Sequence, residues 1–231
     1  MSQSALKAHY DIAIIGSGFS GLCMAIACQQ AGRDDFIILE KNAAIGGTWR
    51  DNHYPGAACD VPSNMYSFSF EPNPNWSRMY SGQAEILRYM QHCVTKYQLT
   101  PHVRTQSEVI ESRWDNQTKR WTLRLTDGQS CTARVIVSGV GGLSRPALPK
   151  IKGLDQFKGA LFHSADWQHD VTLQGKRVAV IGTGASAIQF VPAIASEVGE
   201  LLLFQRTPAW IVPKPDGVIP TPIRKIFQYL P

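Results

Sequence analysis

Long hydrophobic runs are missing from this sequence. No uninterrupted apolar stretch approaches the roughly 18 residues that a membrane-spanning helix needs. The first residues, MSQSALKAHYD, also lack the apolar core of a secretory signal peptide. We therefore expect a chain without a membrane span and a cytoplasmic location.

Cysteine is scarce and poorly arranged for bridging or metal chemistry. The sequence has five cysteines, an odd number, and no two of them form a C-x-x-C pair. This pattern argues against a disulfide framework, a zinc site and a dithiol redox centre, so no metal is expected. The five are Cys23, Cys28, Cys59, Cys93 and Cys131.

Clustered basic charge is lacking as well. The formal net charge is only +5, and the lysines and arginines are scattered. Without a basic run or an aromatic-basic repeat, nucleic acid is not an expected partner. The scattered charges either lie on solvated surface or provide a weak attraction for small phosphate-bearing ligands.

A length of 231 residues, 44% of them hydrophobic, suffices for one large domain or two small ones.

What the sequence does contain is one pattern that occurs twice. Residues 10–40 predict an apolar strand, a glycine turn, a helix to Gly32 and a second buried strand ending at Glu40. Residues 176–206, KRVAVIGTGASAIQFVPAIASEVGELLLFQR, repeat this order. Strand, turn, helix and strand form the βαβ unit of a parallel sheet.

Each turn matches a dinucleotide-binding pattern, G-x-G-x-x-G or its G-x-G-x-x-A variant. The first position permits a tight turn, the second lets the backbone approach a pyrophosphate, and the third lets the helix pack against its strand. The helix N-terminus then offers N–H groups to the phosphates. A glycine turn needed only for packing remains the alternative. The three positions are Gly16, Gly18 and Gly21 in the first turn, and Gly182, Gly184 and Ala187 in the second.

The ends of the two second strands differ in charge. Glu40 lies 24 positions after Gly16, and Arg206 lies 24 positions after Gly182. A carboxylate at this place accepts hydrogen bonds from ribose hydroxyls, whereas an arginine can pair with a 2′-phosphate. The first unit is therefore predicted to bind an unphosphorylated ribose, as in FAD or NAD, and the second to bind NADP.

The residues between and around the two copies complete the predicted fold. They predict an antiparallel β-meander around residues 109–138, with an amphipathic helix over 84–99 and a long irregular stretch over 41–81 before it. We predict an α/β protein with two Rossmann-like dinucleotide-binding units, the second incomplete because the chain stops just after a helix begins. The predicted divisions are residues 1–144 with the first unit and the meander, a link over 145–170, and the second unit over 171–231.

Two dinucleotide sites on one chain suggest a flavin that is reduced by a nicotinamide. A disulfide reductase would carry a redox cysteine pair shortly after the first unit. The sequence there, IGGTWRDNHYPGAACD, has no C-x-x-C pair. The electrons are therefore expected to pass to oxygen or to a diffusible acceptor.

Four blocks of the sequence are distinctive: GSGFSG, GGTW with YPGAACD, F-x-G-x-x-x-H-x-x-x-W at residues 157–167, and GTGASA followed by FQRTP. With these blocks the sequence resembles the flavin-dependent class B monooxygenases, and among them the type I Baeyer–Villiger monooxygenases. These blocks span about residues 10–213. One position departs from the family pattern, because Gln168 stands where Pro or Asp usually follows the tryptophan.

The resemblance implies roles for three catalytic residues. Asp60 would be an active-site carboxylate near the flavin and nicotinamide, with a loop-capping role as the alternative. His163 and Trp167 would couple movement of the nicotinamide domain to the flavin site. Their alternatives are a hydrogen-bonded loop histidine and a core tryptophan. The implied cofactor-binding residues, beyond those of the two turns and strand ends, are Gly47, Thr48, Trp49, Asp60, Tyr66 and Thr207, the last beside Arg206.

The family chemistry implies FAD and NADP as cofactors and molecular oxygen as a co-substrate. A ketone would be converted into an ester or lactone through a peroxyflavin, and an arginine that supports this step in the family would lie beyond residue 231. Gln168 keeps open an N- or S-oxygenating monooxygenase that acts on another oxidisable organic substrate. A nucleotide-binding fragment without turnover is the third possibility.

Overall fold

The computed structural model describes residues 5–229. Contacts divide the chain into two compact units. The first contains the chain up to Arg50 together with Leu87–Ser144, and the second contains Asp51–Ile86 with the chain from Arg145 onward. The helices are α1 Phe19–Gln30, α2 Thr48–Asp51, α3 Gln83–Lys96, α4 Ala185–Ile194 and α5 Thr221–Tyr229. The strands are β1 His9–Ile15, β2 Phe36–Leu39, β3 Val103–Arg104, β4 Val109–Asp115, β5 Arg120–Leu125, β6 Ser130–Ser138, β7 Arg177–Ile181 and β8 Glu200–Phe204.

The first unit is built on a mixed six-stranded sheet with the order β3-β2-β1-β6-β5-β4. Strand β1 pairs in parallel with β2 on one side and with β6 on the other. Strand β6 also closes the antiparallel meander with β5 and β4. All four residues of β2, Phe-Ile-Ile-Leu, are buried, as expected for a strand of a parallel sheet that is covered on both faces.

The second unit contains a two-stranded parallel sheet, β7 and β8, joined through α4. Its core lies between α4, β7 and two loop segments, and it buries Tyr54, Trp167, Val180, Ala187, Phe190 and Ile194. The two strands also carry exposed apolar side chains, among them Ile181 and Phe204.

The predicted fold class is confirmed. Both βαβ units and the meander form, and the helix predicted over 84–99 is α3. The stretch predicted as irregular over 41–81 contains the short α2 and a 3-10 turn at Ser63–Met65. Across the residues that the structure describes, no helix combines the length and apolar character needed to cross a membrane.

One segment groups differently from the predicted divisions. Asp51–Ile86, predicted with the first domain, belongs to the second compact unit. The reason is hydrogen bonding to later segments: Met79 N donates to Gly217 O at 2.8 Å, and Ile219 N donates to Ser77 O at 2.9 Å. The assignment of the divisions to particular cofactors stays a prediction.

Candidate active site

Two glycines of the first turn are required by the fold itself. Gly16 has φ +98°, and a Cβ there would lie 2.6 Å from Gly139 O. A Cβ at Gly21 would lie 1.9 Å from Gly16 O. Both contacts involve backbone atoms that cannot move aside, so α1 can approach β1 this closely only without side chains at these positions.

Gly18 is different, because packing does not demand a glycine there. It is the extended N-cap residue of α1, with φ −74°, which any residue can adopt. The nearest heavy atom to a Cβ at Gly18 is Gly47 Cα, at an ordinary 3.8 Å. Among residues 5–229, no side chain caps the N-terminus of α1. Bare backbone and uncapped N–H groups fit a phosphate ligand at this place.

The GGTW segment lies against the same turn. Gly46 N donates to Ser17 O at 3.1 Å, and Trp49 N donates to Gly46 O at 3.1 Å. Gly47 has φ +50°, and a Cβ there would lie 3.0 Å from Gly18 Cα. The structure thus brings Gly47, the exposed Thr48 and the buried Trp49 into one unit with the first turn.

Glu40 is buried beside the turn, with 4% of its surface exposed. Its Oε2 accepts hydrogen bonds from Ser17 N at 3.0 Å and from Ser17 Oγ at 2.5 Å, and its Oε1 accepts one from Asn42 N at 2.9 Å. These donors offset the cost of burying a carboxylate. A carboxylate has about four acceptor positions, so Glu40 retains capacity for a ribose hydroxyl.

The second turn has the same backbone but open surroundings. Gly182 has φ +106°, and Gly184 is the extended N-cap residue of α4. A Cβ at either glycine would meet no heavy atom within 4 Å among the described residues. The third position, Ala187, is buried in the core of the second unit. Within residues 5–229, no side chain caps α4 either, which again fits a phosphate ligand.

Arg206 and Thr207 follow the end of β8, and both are exposed. The neighbouring Gln205 Nε2 donates to Thr183 Oγ1 at 3.1 Å and so ties the end of β8 to the second turn. An exposed guanidinium at this position can pair with a 2′-phosphate, and the hydroxyl of Thr207 can add a hydrogen bond.

Asp60 lies in the second unit, in the loop that follows Tyr54. The residue is exposed, and its Oδ1 accepts a hydrogen bond from Gln189 Nε2 of α4 at 2.9 Å. Burial raises the pKa of the adjacent Cys59 thiol, which keeps that thiol protonated and poorly reactive. Sequence reasoning missed Gln189, because the dinucleotide pattern assigns no role to a residue at that place in the helix.

His163 and Trp167 both have structural contacts. His163 Nδ1 accepts a hydrogen bond from Ala165 N at 3.0 Å and so caps the 3-10 turn Ser164–Asp166. The ring of Trp167 is buried against Phe162 and Phe190, with centroid distances of 5.3 and 5.2 Å. These contacts are the alternative roles considered for the two residues, and their catalytic roles stay predictions.

The glycine of the same motif has a local explanation. A Cβ at Gly159 would lie 2.6 Å from Cζ of Phe157, so the phenyl ring folds over the bare backbone.

The last predicted cofactor residue, Tyr66, is half-buried in the second unit, where its N donates to Ser63 O at 2.9 Å. Its role in cofactor binding stays a prediction.

Known proteins share both the sequence and the fold of this chain. A sequence model of the flavin-binding monooxygenase-like family matches residues 9–218. The chain is 53% identical over 227 residues to a Baeyer-Villiger monooxygenase of Pseudomonas aeruginosa. The matched region covers 98% of this chain and 43% of that protein. A steroid monooxygenase structure bound to NADP superimposes with a TM-score of 0.89 at 36% identity, over 97% of this chain and 44% of that one. A structure of OTEMO in complex with FAD and NADP superimposes with a TM-score of 0.88 at 33% identity, over 96% of this chain and 44% of that one.

The chain therefore belongs to the flavin-binding monooxygenase-like family. It spans less than half the length of the relatives that it matches.

Proposed function

We propose that the protein carrying this chain is an FAD- and NADPH-dependent monooxygenase that converts a ketone into an ester or lactone. One atom of molecular oxygen is inserted between the carbonyl carbon and its neighbour. The other atom leaves as water, with electrons from NADPH and a proton from solvent. We place this reaction in the cytoplasm.

The observation that carries the proposal is the contrast between the ribose-reading positions of the two glycine turns. The first has the buried carboxylate of Glu40, and the second has the exposed guanidinium of Arg206. This contrast favours one unphosphorylated and one 2′-phosphorylated dinucleotide on a single chain. The relatives suggest the reaction class, since the one from P. aeruginosa is named a Baeyer-Villiger monooxygenase.

In the first unit, the N–H groups at the start of α1 would bind the FAD pyrophosphate over Gly18. The free acceptor positions of Glu40 would accept the ribose hydroxyls. When bound, FAD supplies the electron transfer and the activation of oxygen, while the protein supplies position and charge. Trp49 and Thr48 stand next to this turn and are proposed to border the flavin.

In the second unit, the start of α4 would bind the NADP pyrophosphate, and Arg206 with Thr207 would bind the 2′-phosphate. The Asp60 carboxylate is exposed, so its free oxygen is open to a donor on a cofactor or to a cationic side chain. His163 and Trp167 are proposed to transmit nicotinamide binding to the reacting site. For His163→Ala we expect retained flavin with slower reduction or with more NADPH lost as hydrogen peroxide.

The proposal is tested on the purified full-length protein. We expect a yellow protein whose flavin is bleached by NADPH without oxygen, and whose incubation with ¹⁸O₂ and a panel of ketones gives esters carrying one ¹⁸O atom. Sulfoxides or N-oxides without esters would instead identify an S- or N-oxygenating enzyme. A protein that binds nucleotide but oxidises no NADPH would refute both reactions.

A further inference from the structure

The Gln189 side chain forms four hydrogen bonds to residues 54–60, the loop that carries Asp60. Its Oε1 accepts hydrogen bonds from Tyr54 Oη at 3.0 Å and from Ala58 N at 3.1 Å. Its Nε2 donates to Ala58 O at 2.9 Å and to Asp60 Oδ1 at 2.9 Å. A primary amide has two donors and two acceptor positions, so all four are used.

These contacts fix which way the amide points. Ala58 N can only donate and Ala58 O can only accept, so Oε1 must face the first and Nε2 the second. The remaining N–H of Nε2 is then directed at the Asp60 carboxylate. The amide therefore holds the loop and presents a donor to the charged group at the same time.

The backbone of the loop is seated on the same turn of α4. Gly56 has φ +78°, and a Cβ there would lie 2.8 Å from Gln189 O and 3.4 Å from Ala193 Cβ. The loop thus lies against helix backbone at Gly56 and is bonded to the Gln189 side chain at Ala58 and Asp60. The N-cap residue of the same helix is Gly184, in the second glycine turn.

We infer that Gln189 is a positioning residue for Asp60, which fixes the carboxylate in place and ties its loop to the helix of the proposed NADP site. The inference rests on the proposed function only for the consequence of misplacing Asp60. Glutamine is required because asparagine is one methylene shorter, leucine has no polar atoms, and glutamate has no donor for Asp60 or Ala58 O. The nearby ionisable groups are Tyr54, whose Oη donates to Gln189 Oε1 at 3.0 Å, Cys59, and Lys214, whose Nζ donates to Cys59 O at 3.4 Å.

The first test needs no turnover. Hydrogen exchange is measured by mass spectrometry on the full-length protein, comparing wild type with Gln189→Leu and with Tyr54→Phe. We expect amides 54–60 to exchange faster by at least tenfold in Gln189→Leu, because Ala58 N loses its acceptor and the loop loses four hydrogen bonds. Tyr54→Phe is the matched control, since it removes one bond to Gln189 and leaves those to Ala58 and Asp60. Unchanged exchange in a folded Gln189→Leu protein would overturn the inference whatever the enzyme does.

The second test asks whether Gln189 acts through Asp60. Flavin reduction by NADPH is followed without oxygen in Gln189→Leu, Asp60→Asn and the double variant. We expect Gln189→Leu alone to slow reduction by about ten- to a hundredfold, the range for a hydrogen bond to a charged group. The same change should have little further effect in the Asp60→Asn background, because the two residues act as one unit. Independent, multiplying effects would refute positioning through Asp60.

A third variant separates positioning from general loosening. Gln189→Glu places a second carboxylate beside Asp60, and two neighbouring carboxylates resist being ionised together. We expect the pH profile of flavin reduction to move to higher pH in Gln189→Glu but not in Gln189→Leu. An unmoved profile would count against the inference. If exchange changes as expected but Asp60→Asn leaves flavin reduction unaffected, the proposed role of Asp60 fails while its attachment to α4 stands.

Discussion

The two glycine turns share a sequence pattern but differ in what surrounds them. In the first turn, side chains at Gly16 and Gly21 are forbidden by backbone atoms at 2.6 and 1.9 Å. In the second, a side chain at Gly182 or Gly184 would meet nothing within 4 Å among residues 5–229. The fold therefore needs glycine at Gly16, at Gly21 and, because of its φ of +106°, at Gly182. At Gly18 and Gly184 the backbone conformation is ordinary and there is room for a side chain, so the need for glycine there must come from a ligand.

The charge at the end of each second strand sharpens this contrast. Glu40 is 4% exposed and accepts three hydrogen bonds from its own unit, so it also stabilises the turn. Arg206 is exposed, and its charge faces solvent. The first turn is organised in advance by the protein, whereas the second depends more on what binds there.

The largest expected effect is on stability in the first turn. Gly21→Ala places a Cβ 1.9 Å from Gly16 O, and backbone on both sides leaves little room for adjustment. We expect a loss of about 3 kcal/mol or more in the free energy of unfolding, above the usual cost of overpacking. Urea denaturation of the full-length protein measures it. A loss below about 1 kcal/mol would show that α1 can shift away from β1.

A second large effect should fall on cofactor binding without a matching loss of stability. Gly18→Val adds a side chain where the backbone is bare and the neighbouring contacts are ordinary. We expect a folded protein that is purified without flavin, because the side chain occupies the position of the pyrophosphate. The absorbance ratio of flavin to protein reports occupancy, and a yellow, fully loaded variant would contradict the FAD assignment.

An intermediate effect is expected at Arg206. Arg206→Ala should weaken NADPH binding by about tenfold, the lower end for a hydrogen-bonded charge, because the exposed guanidinium is screened by solvent and salt. NADH, which lacks the 2′-phosphate, should bind as before. Apparent affinities for both cofactors at one ionic strength decide the matter. Equal losses for the two would mean that Arg206 supports the fold instead of reading the phosphate.

The smallest expected effect is on the stability of the second turn. Gly184 has φ −76° and open space around a Cβ, so Gly184→Ala should change the free energy of unfolding by no more than about 0.5 kcal/mol. NADP affinity should nevertheless fall, because the second glycine of such a turn is the one that lets the backbone approach the pyrophosphate. Urea denaturation and NADP titration of this variant, measured beside Gly21→Ala, compare the two turns directly. A strongly destabilised Gly184→Ala protein would remove the distinction between them.

The sequence predicts the elements of both units well because their signals are local. Alternation in the meander, the buried run of β2 and the strand-to-helix glycines each depend on residues near in sequence. The hydrogen bond between Asp60 and Gln189 could not be predicted, since 129 positions separate them and no local sequence pattern connects the two residues. The grouping of Asp51–Ile86 with the second unit has the same cause, as it depends on pairing with residues 217–219.

The motif from Phe157 to Trp167 is held largely by contacts between close neighbours in sequence. The Phe157 ring covers Gly159, His163 accepts from Ala165 N, and Phe162 packs on Trp167. Closing such short loops costs little chain entropy, so contacts of this kind form early in folding. We expect this segment to acquire its shape on the way to the native state before Trp167 docks on Phe190 of α4.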